Sequence, residues 1–194
     1  MFRLFVLLAT LLIGLAPGEG RSATRSIRRP FGEGTLLLEG ASRLTLVDSR
    51  GRRQAIDCGP LRGAWGLWVD DVDGDGQLDL VLTLRKRARF DPVLENRLHV
   101  YTLRGTGDAP PRCVPLWRGT RLAGRFDRIG DVRGGRLVAL ERTGRGRRRV
   151  ARYRWRGFGF AVQRVLWSGS GAPPPRLLRL LDRLLPPSTR KGSP

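Results

Sequence analysis

The chain has 194 residues, with 37 Lys and Arg against 17 Asp and Glu, and a formal net charge of +20. This length suits one ordinary domain. With one histidine and two cysteines, the chain cannot form a multi-histidine metal centre. A zinc site of four cysteines, or of two cysteines and two histidines, is excluded as well. The 26 glycines and 13 prolines favour turn-rich β structure over a helical bundle.

The first eighteen residues have the pattern of a secretory signal peptide. Arg3 precedes an apolar run from Leu4 to Leu15, and small residues follow at Ala16 and Gly18. Such a run forms a helix of about 18 Å, too short for the ~30 Å hydrocarbon core of a bilayer. We therefore expect cleavage after Gly18, a periplasmic or secreted protein, and no transmembrane segment in the mature chain. An uncleaved membrane anchor is the alternative.

Two features of the composition are interpreted in the light of export. Cys58 and Cys113 are the only cysteines, and an oxidising compartment favours a disulfide between them, with two separately buried thiols as the alternative. The excess of arginine indicates either binding of a polyanion or a GC-rich genome. Because isoleucine and asparagine are also scarce, which no binding site would require, the compositional interpretation is favoured.

The middle of the chain contains an internal repeat. After a segment at 19–33 that we expect to be flexible, three stretches repeat an alternating strand, a glycine turn and a second strand. They begin at Arg43, Arg97 and Arg149. The copies therefore begin 54 and 52 residues apart. A period of this length is typical of propeller blades or stacked β modules. Together with a strand at 34–40 and matching segments between the copies, the pattern predicts about eleven strands between residues 34 and 167.

This pattern predicts an all-β domain over residues 34–171. We expect a propeller-like stack of about three antiparallel four-stranded blades, which is incomplete because closed propellers usually have at least four. An open β fan, a small closed barrel or sandwich, and a homo-oligomer whose copies complete the ring of blades all remain open. Residues 172–194 follow as a proline-rich linker, a short amphipathic helix over 176–185 and a disordered tail. The helix either caps the sheet stack or contacts a membrane or a partner.

An aspartate loop is the strongest chemical motif. Five of the seventeen acids lie within residues 70–79, without a cation among them. Carboxylates this close repel one another unless a cation neutralises them, and Ca²⁺ prefers six to eight oxygen ligands in a flexible geometry. One calcium ion is therefore predicted. The carbonyl of Gln77 is one ligand, and the side chains of four aspartates are the others: Asp71, Asp73, Asp75 and Asp79. In the second copy, Arg133 and Gly134–Gly135 replace these acids, so no second site is expected.

The loop and the apolar strand that follows it resemble the FG-GAP/VCBS repeat, a calcium-loop blade of β-propellers. The wider pattern over residues 60–167 is similar to exported bacterial proteins that carry such repeats. The resemblance implies a propeller-like fold, a structural calcium ion and a binding or scaffolding role, without a known reaction.

Aromatic and charged residues at strand-to-loop transitions form the candidate partner surface. Segments that mix aromatic and arginine side chains suit stacking on sugars or bases, although packing between blades is the favoured interpretation. The charged residues among the candidates could form a satisfied ion-pair network or a small polar site. The candidates are Phe90, Asp91, Arg97, Trp117, Arg121, Glu141, Trp155, Phe158 and Phe160. His99 alternates with apolar neighbours on a strand, which favours an outward or interfacial position over a ligand or a base.

The sequence thus predicts an exported, non-enzymatic β-repeat module that binds or scaffolds an envelope component or a protein partner. One alternative is an arginine-rich protein that binds a polyanion, namely an acidic glycan, lipopolysaccharide or nucleic acid. A second is a glycan-active enzyme that uses Glu141 with Asp91 as its pair of acids.

Overall fold

The computed structural model describes residues 26–89, 91–105, 111–119 and 122–182. These residues form twelve strands and one helix. The elements are β1 Ile27–Phe31, β2 Gly34–Glu39, β3 Arg43–Val47, β4 Arg53–Ile56, β5 Ala64–Asp70, β6 Asp79–Ala88, β7 Asp91–Arg104, β8 Arg112–Arg118, β9 Arg125–Arg133, β10 Arg136–Arg142, β11 Arg148–Trp155, β12 Phe160–Gly169 and α1 Pro175–Asp182. The predicted signal peptide, Phe90, Arg121 and the tail from residue 183 lie outside the described residues.

The strands form three antiparallel sheets of four strands each in the described part of the chain. The first sheet has the order β1-β2-β3-β4, the second β5-β6-β7-β8, and the third β9-β10-β11-β12. Every strand therefore pairs with its neighbour in sequence, as short hairpin connections favour. The prediction of an all-β chain with about three four-stranded antiparallel sheets and a short C-terminal helix is confirmed.

The repeat found in the sequence corresponds to equivalent strands of the three sheets. Arg43, Arg97 and Arg149 lie in β3, β7 and β11, which are the third strands of their sheets. The second strand of each copy is the fourth strand of the sheet.

The prediction of a flexible segment over residues 19–33 was wrong for its last part, because β1 occupies Ile27–Phe31. This strand is the twelfth, which the sequence count of eleven omitted. Pro30 and two arginines hide its strand pattern, and docking against the second sheet holds it in place. Ile27 is buried, and the Nε of Arg29 donates to the carbonyl oxygen of Leu67 at 2.8 Å.

The three sheets stack in the order of the chain around two apolar layers. The layer between the first and second sheets includes Leu36, Leu44 and Leu82, and the layer between the second and third includes Val81 and Phe126. The second sheet is thus covered on both faces. This explains why residues 79–84 of β6 are buried without interruption, whereas a sheet with one wet face would alternate.

The first strands of successive sheets lie side by side, since β1 contacts β5 and β5 contacts β9. The outer face of the third sheet is covered by α1, which contacts β9 and β10. Leu181 of the helix is buried against Val138, Leu140 and Val150. The leucine stripe of this short helix is therefore used in packing, as a marginal isolated helix requires. No helix in the described ranges is long and apolar enough to span a membrane.

A disulfide joins Cys58 and Cys113, whose Cα atoms lie 4.6 Å apart. Cys58 follows β4 and Cys113 lies in β8, so the bond links the last strands of the first two sheets. Beside it, Asp57 forms a parallel bridge with Arg112, and the amide of Cys113 donates to the carbonyl oxygen of Asp57 at 2.8 Å. Such a bond is consistent with an oxidising compartment.

Candidate functional site

The aspartate loop joins β5 to β6, and its own carboxylates organise its backbone. One oxygen of Asp71 accepts from the amide of Gly74 at 2.8 Å and the other from the amide of Gly76 at 3.0 Å. Asp73 accepts from the amide of Asp75 at 3.2 Å. Gly74 and Gly76 both have φ near +83°, a conformation that residues with a Cβ rarely adopt. The alternation of Asp and Gly in the sequence therefore encodes this turn directly.

Asp79 lies at the base of the loop and is fully buried. Its two oxygens accept from the amide of Val72, at 3.0 Å, and from the hydroxyl of Thr102 on β7. Burial raises the pKa of Asp79 above its ordinary value. The two hydrogen bonds oppose this shift, and the negative charges of Asp73 and Asp75 add to it. A buried carboxylate next to other carboxylates favours either a proton or a cation.

Three of the predicted ligands converge. Carboxylate oxygens of Asp71, Asp73 and Asp79 lie within 4.8 Å of one another, and this is the one such group of acids among the described residues. Asp75 lies outside the group and instead accepts from the amide of Gln77 at 2.8 Å. The side-chain amide of Gln77 also donates to Asp75, at 3.2 Å. The three convergent carboxylates could hold a metal ion.

The loop is also attached to the third sheet, which the sequence did not indicate. A carboxylate oxygen of Asp70 accepts from the amide of Gly135 at 3.0 Å, in the turn between β9 and β10. A Cβ at Gly135 would lie 2.4 Å from the carbonyl oxygen of Val72, so only glycine allows this approach. The turn between β9 and β10 is the second copy of the loop, which the sequence identified as having lost its ion site. In the structure this turn contacts the first copy of the loop.

Asp91, Arg97 and Glu141 were predicted as candidate surface residues, but the structure gives the two acids separate partners. The guanidinium of Arg97 is 1% exposed and donates to the carboxylate of Asp91 at 2.7 Å. The same nitrogen also donates to the carbonyl oxygen of Val93, at 3.3 Å. Arg97 is therefore a buried structural cation rather than a surface ligand.

Glu141 forms a second buried cluster in the third sheet. Its carboxylate accepts from the Nε of Arg149 at 2.6 Å, from the amide of Gly124 at 2.9 Å and from the hydroxyl of Tyr153. Burial and the neighbouring carboxylate raise the pKa of the Tyr153 phenol, so the phenol stays protonated and donates. The acid is fully buried and its oxygens are occupied, which is the arrangement of a structural carboxylate.

The aromatic candidates divide into a packed group and one exposed residue. Trp117 of the second sheet meets Trp155 and Phe160 of the third edge to face, with ring centroids 6.3 and 5.9 Å apart. These rings pack between sheets, as the blade-packing interpretation predicted. Phe158, in the turn between β11 and β12, is 87% exposed. It therefore remains available for contact with another molecule.

His99 is buried on β7, contrary to the predicted outward position but in keeping with an interfacial one. It faces the first sheet, and its Nδ1 lies 3.0 Å from the hydroxyl of Tyr101. Burial lowers the pKa of His99 to about 4, with smaller contributions from the charges of Lys86, Arg118 and Arg97. The imidazole is therefore neutral at pH 7.

This shift makes the stability of the protein sensitive to acid. Between pH 6.5 and 4 the unfolded chain binds a proton at His99 that the folded chain does not, so stability falls as the pH falls through this window. We expect His99 to account for a loss of about 2–3 kcal/mol across it. Because His99 is the only histidine, the His99→Gln variant should lose less stability than the wild type as the pH falls through this window. Urea denaturation at several pH values measures the free energy of unfolding of both proteins. An equal pH dependence of the two would contradict a buried neutral His99.

Comparison of the chain with protein-family models, with curated proteins and with solved structures gives no match. The resemblance to the FG-GAP/VCBS repeat therefore depends on the residues of the chain itself, above all on the loop from Asp71 to Asp79.

Proposed function

We propose that this chain is an exported, non-enzymatic β module of the FG-GAP/VCBS type, stabilised by one calcium ion and acting by binding an envelope component or a protein partner. The observation that carries the proposal is the convergence of Asp71, Asp73 and Asp79 within 4.8 Å at the turn between β5 and β6. Three carboxylates at this separation repel one another, and a bound cation relieves the repulsion.

Calcium suits this group better than the alternatives. The ligands are all oxygens, three of the residues lie on an irregular turn, and Ca²⁺ accepts six to eight oxygens without a strict geometry. Mg²⁺ demands a near-ideal octahedron, and Zn²⁺ prefers nitrogen or sulfur ligands. In the proposal, Asp75 and the carbonyl of Gln77 complete the set supplied by the three convergent carboxylates.

The proposed role of the ion is structural. The loop contacts the third sheet through Asp70 and Gly135, so an ion there would stabilise the junction between the second and third sheets. An ion that binds only the folded state adds its binding free energy to stability.

A propeller-like arrangement of the sheets is supported by the neighbouring first strands, β1 beside β5 and β5 beside β9. The helix α1 covers the face of the third sheet on which a further blade would stack. We therefore favour an open stack of three blades closed by the helix over a ring completed by further copies of the chain.

A non-enzymatic role is supported by the surroundings of the two acids that a glycan-active enzyme would need. Asp91 is paired with Arg97, and Glu141 has three donors of its own. Each acid is therefore engaged with structural partners, whereas a glycosidase needs two acids that converge on one substrate bond. Export is supported by the disulfide between Cys58 and Cys113.

Removal of calcium should lower the melting temperature, and added Ca²⁺ should restore it. At a free concentration a hundred times Kd, mass action gives about 2.7 kcal/mol, or roughly 5–10 °C for a chain of this size. Asp73→Asn should abolish this response, because Asp73 belongs to the convergent group yet holds only one long backbone hydrogen bond. Scanning calorimetry with chelator and with calcium measures the effect.

Asp57→Asn is the matched control. Asp57 accepts from the amide of Gly59 at 2.8 Å in a similar exposed turn but lies outside the convergent group. This variant should keep the full calcium response. Two calcium ions per chain by titration calorimetry, or a response that survives Asp73→Asn, would contradict the proposed site.

A further inference from the structure

The positive charge of the chain is concentrated in one region. Residues 26–119 contain 15 Lys and Arg against 12 Asp and Glu, whereas residues 120–194 contain 19 against 4. A GC-rich genome would raise arginine throughout the chain and does not explain this asymmetry. An uneven distribution of charge instead indicates a surface for an anionic partner. Within the described residues 122–182, which contain the third sheet and α1, the balance is 15 against 4.

Within the third sheet, arginines face one another across neighbouring strands. Arg136 of β10 lies directly opposite Arg154 of β11, and Arg152 of β11 lies opposite Arg164 of β12. Arg133, at the end of β9, pairs with Arg136. Directly paired residues share a face of a sheet, as do alternate residues of a strand. These five residues, Arg133, Arg136, Arg152, Arg154 and Arg164, are called the arginine face below.

The arginine face lies on the outer side of the stack. Arg152 pairs with Val138 as well, and Val138 belongs to the cluster under α1. The face therefore continues beside the helix, whose Arg176 and Arg179 are also exposed. A cavity of about 370 Å³ opens in it at the turn between β9 and β10, lined by Arg133, Gly134, Arg136, Leu137, Val138 and Arg152.

The arginine face carries a charge that the described residues do not neutralise. Ion pairs between described side chains in this part of the protein include those of three other arginines: Arg125, Arg142 and Arg149. Like charges directly opposite each other in a sheet are destabilising. A bound anion would remove this repulsion, and the planar guanidinium matches the geometry of phosphate in particular.

An exposed aromatic residue adjoins this charge. In an antiparallel sheet the turn between β9 and β10 and the turn between β11 and β12 fall at the same end, so Phe158 lies at the end that holds Arg133 and Arg136. Its side chain is 87% exposed, and Arg156 precedes it by two residues. A combination of arginines with an exposed phenylalanine is typical of surfaces that contact the headgroup region of a bilayer.

We infer that the arginine face binds the phosphate groups of an anionic lipid surface, with Phe158 entering the interfacial region. The arginines spread over four adjacent strands in two dimensions, which matches a surface of many headgroups. A single nucleic-acid or glycan strand would instead favour a groove lined by several stacking aromatics, and the other aromatic candidates of the described residues are packed between sheets. The inference rests on the proposed binding role and names the partner, but it does not depend on the calcium ion.

Co-sedimentation with lipid vesicles tests the inference. The full chain should bind vesicles of equal parts phosphatidylcholine and phosphatidylglycerol, should not bind pure phosphatidylcholine, and should dissociate as salt increases. Each arginine near an anionic surface contributes a roughly fivefold gain in partitioning. The double variant Arg136→Gln with Arg154→Gln should therefore bind about thirtyfold more weakly. Phe158→Ala should weaken binding without changing its dependence on salt.

The matched control removes two exposed arginines elsewhere, by Arg50→Gln with Arg62→Gln. This variant has the same net charge as the test variant and should bind vesicles nearly as well as the wild type. Equal weakening of both variants would overturn the arginine face, because general charge would then explain binding. Tighter binding to duplex DNA or heparin at the same salt would overturn the lipid assignment in favour of a polymer. A protein that responds to calcium but does not bind the vesicles would refute this inference alone. A protein that binds the vesicles but does not respond to calcium would refute only the calcium site.

Discussion

The double variant Cys58→Ala with Cys113→Ala should lower the free energy of unfolding by about 4 kcal/mol. The two cysteines are 55 residues apart in sequence, so the bond removes much conformational entropy from the unfolded chain. It also joins two sheets at their last strands, beside a single parallel bridge between Asp57 and Arg112. Urea denaturation of the variant and of the oxidised wild type under non-reducing conditions measures the difference.

Reduced wild type is the control that separates the bond from the packing of the sulfur atoms. Cys58 is buried, so alanine there removes apolar contacts as well as the cross-link. The reduced protein keeps both sulfur atoms and should lose most of the same stability. If reduction changes the unfolding free energy by less than about 1 kcal/mol, the cross-link does not constrain the unfolded chain as the entropic account requires.

The local pattern of the sequence was sufficient for most of the fold. Alternating residues and glycine turns identified the third and fourth strands of each sheet, because these strands follow the same order in every copy. The first strand, β1, was missed since its sequence, Ile27–Phe31, contains proline and arginines. It becomes a strand through pairing with β2 and docking against the second sheet, which a local pattern does not contain.

The aspartate loop was predictable for a similar reason, because the residues that would hold the ion also form the turn. The contact between Gly135 and the carbonyl of Val72 was not predictable, as it joins two sheets that are far apart in sequence. The pairing of the cysteines was likewise open until the fold brought β4 and β8 together.

The buried polar clusters illustrate a different limit. The sequence left open whether Asp91, Arg97 and Glu141 form a small polar site at the candidate surface or a satisfied ion-pair network. The register of the sheet places Glu141 directly opposite Arg149 on β11, and Tyr153 lies four residues further along β11 on the same face. An acid at the end of the apolar run Leu137–Leu140 was the signal available in the sequence, and the pairing of β10 with β11 was needed to interpret it.

Glu141→Ala should be among the most destabilising single substitutions in the chain. It would leave the guanidinium of Arg149, the amide of Gly124 and the hydroxyl of Tyr153 without their shared acceptor. Breaking a fully buried ion pair by removing one partner costs about 3–5 kcal/mol. Because the side chain of Arg149 is 21% exposed, water would solvate part of the remaining charge, and we expect a loss near the lower end of this range. Urea denaturation measures the loss. Glu141→Gln keeps the volume and an acceptor oxygen, and should lie between the wild type and the alanine variant.

Asp127→Ala provides the comparison within the same sheet. Asp127 pairs with Arg142 at 2.8 Å, but the two side chains are 30% and 56% exposed. An exposed pair of this kind contributes about 0–1 kcal/mol, because water solvates both charges when the pair is broken. Asp127→Ala and Glu141→Ala each remove one negative charge, so the difference between their losses of stability reports the effect of burial. If Glu141→Ala cost no more than Asp127→Ala, the carboxylate of Glu141 would be solvated rather than buried. The carboxylate would then again be a candidate for chemistry at the surface, and the case for a non-enzymatic module would lose one of its two supports.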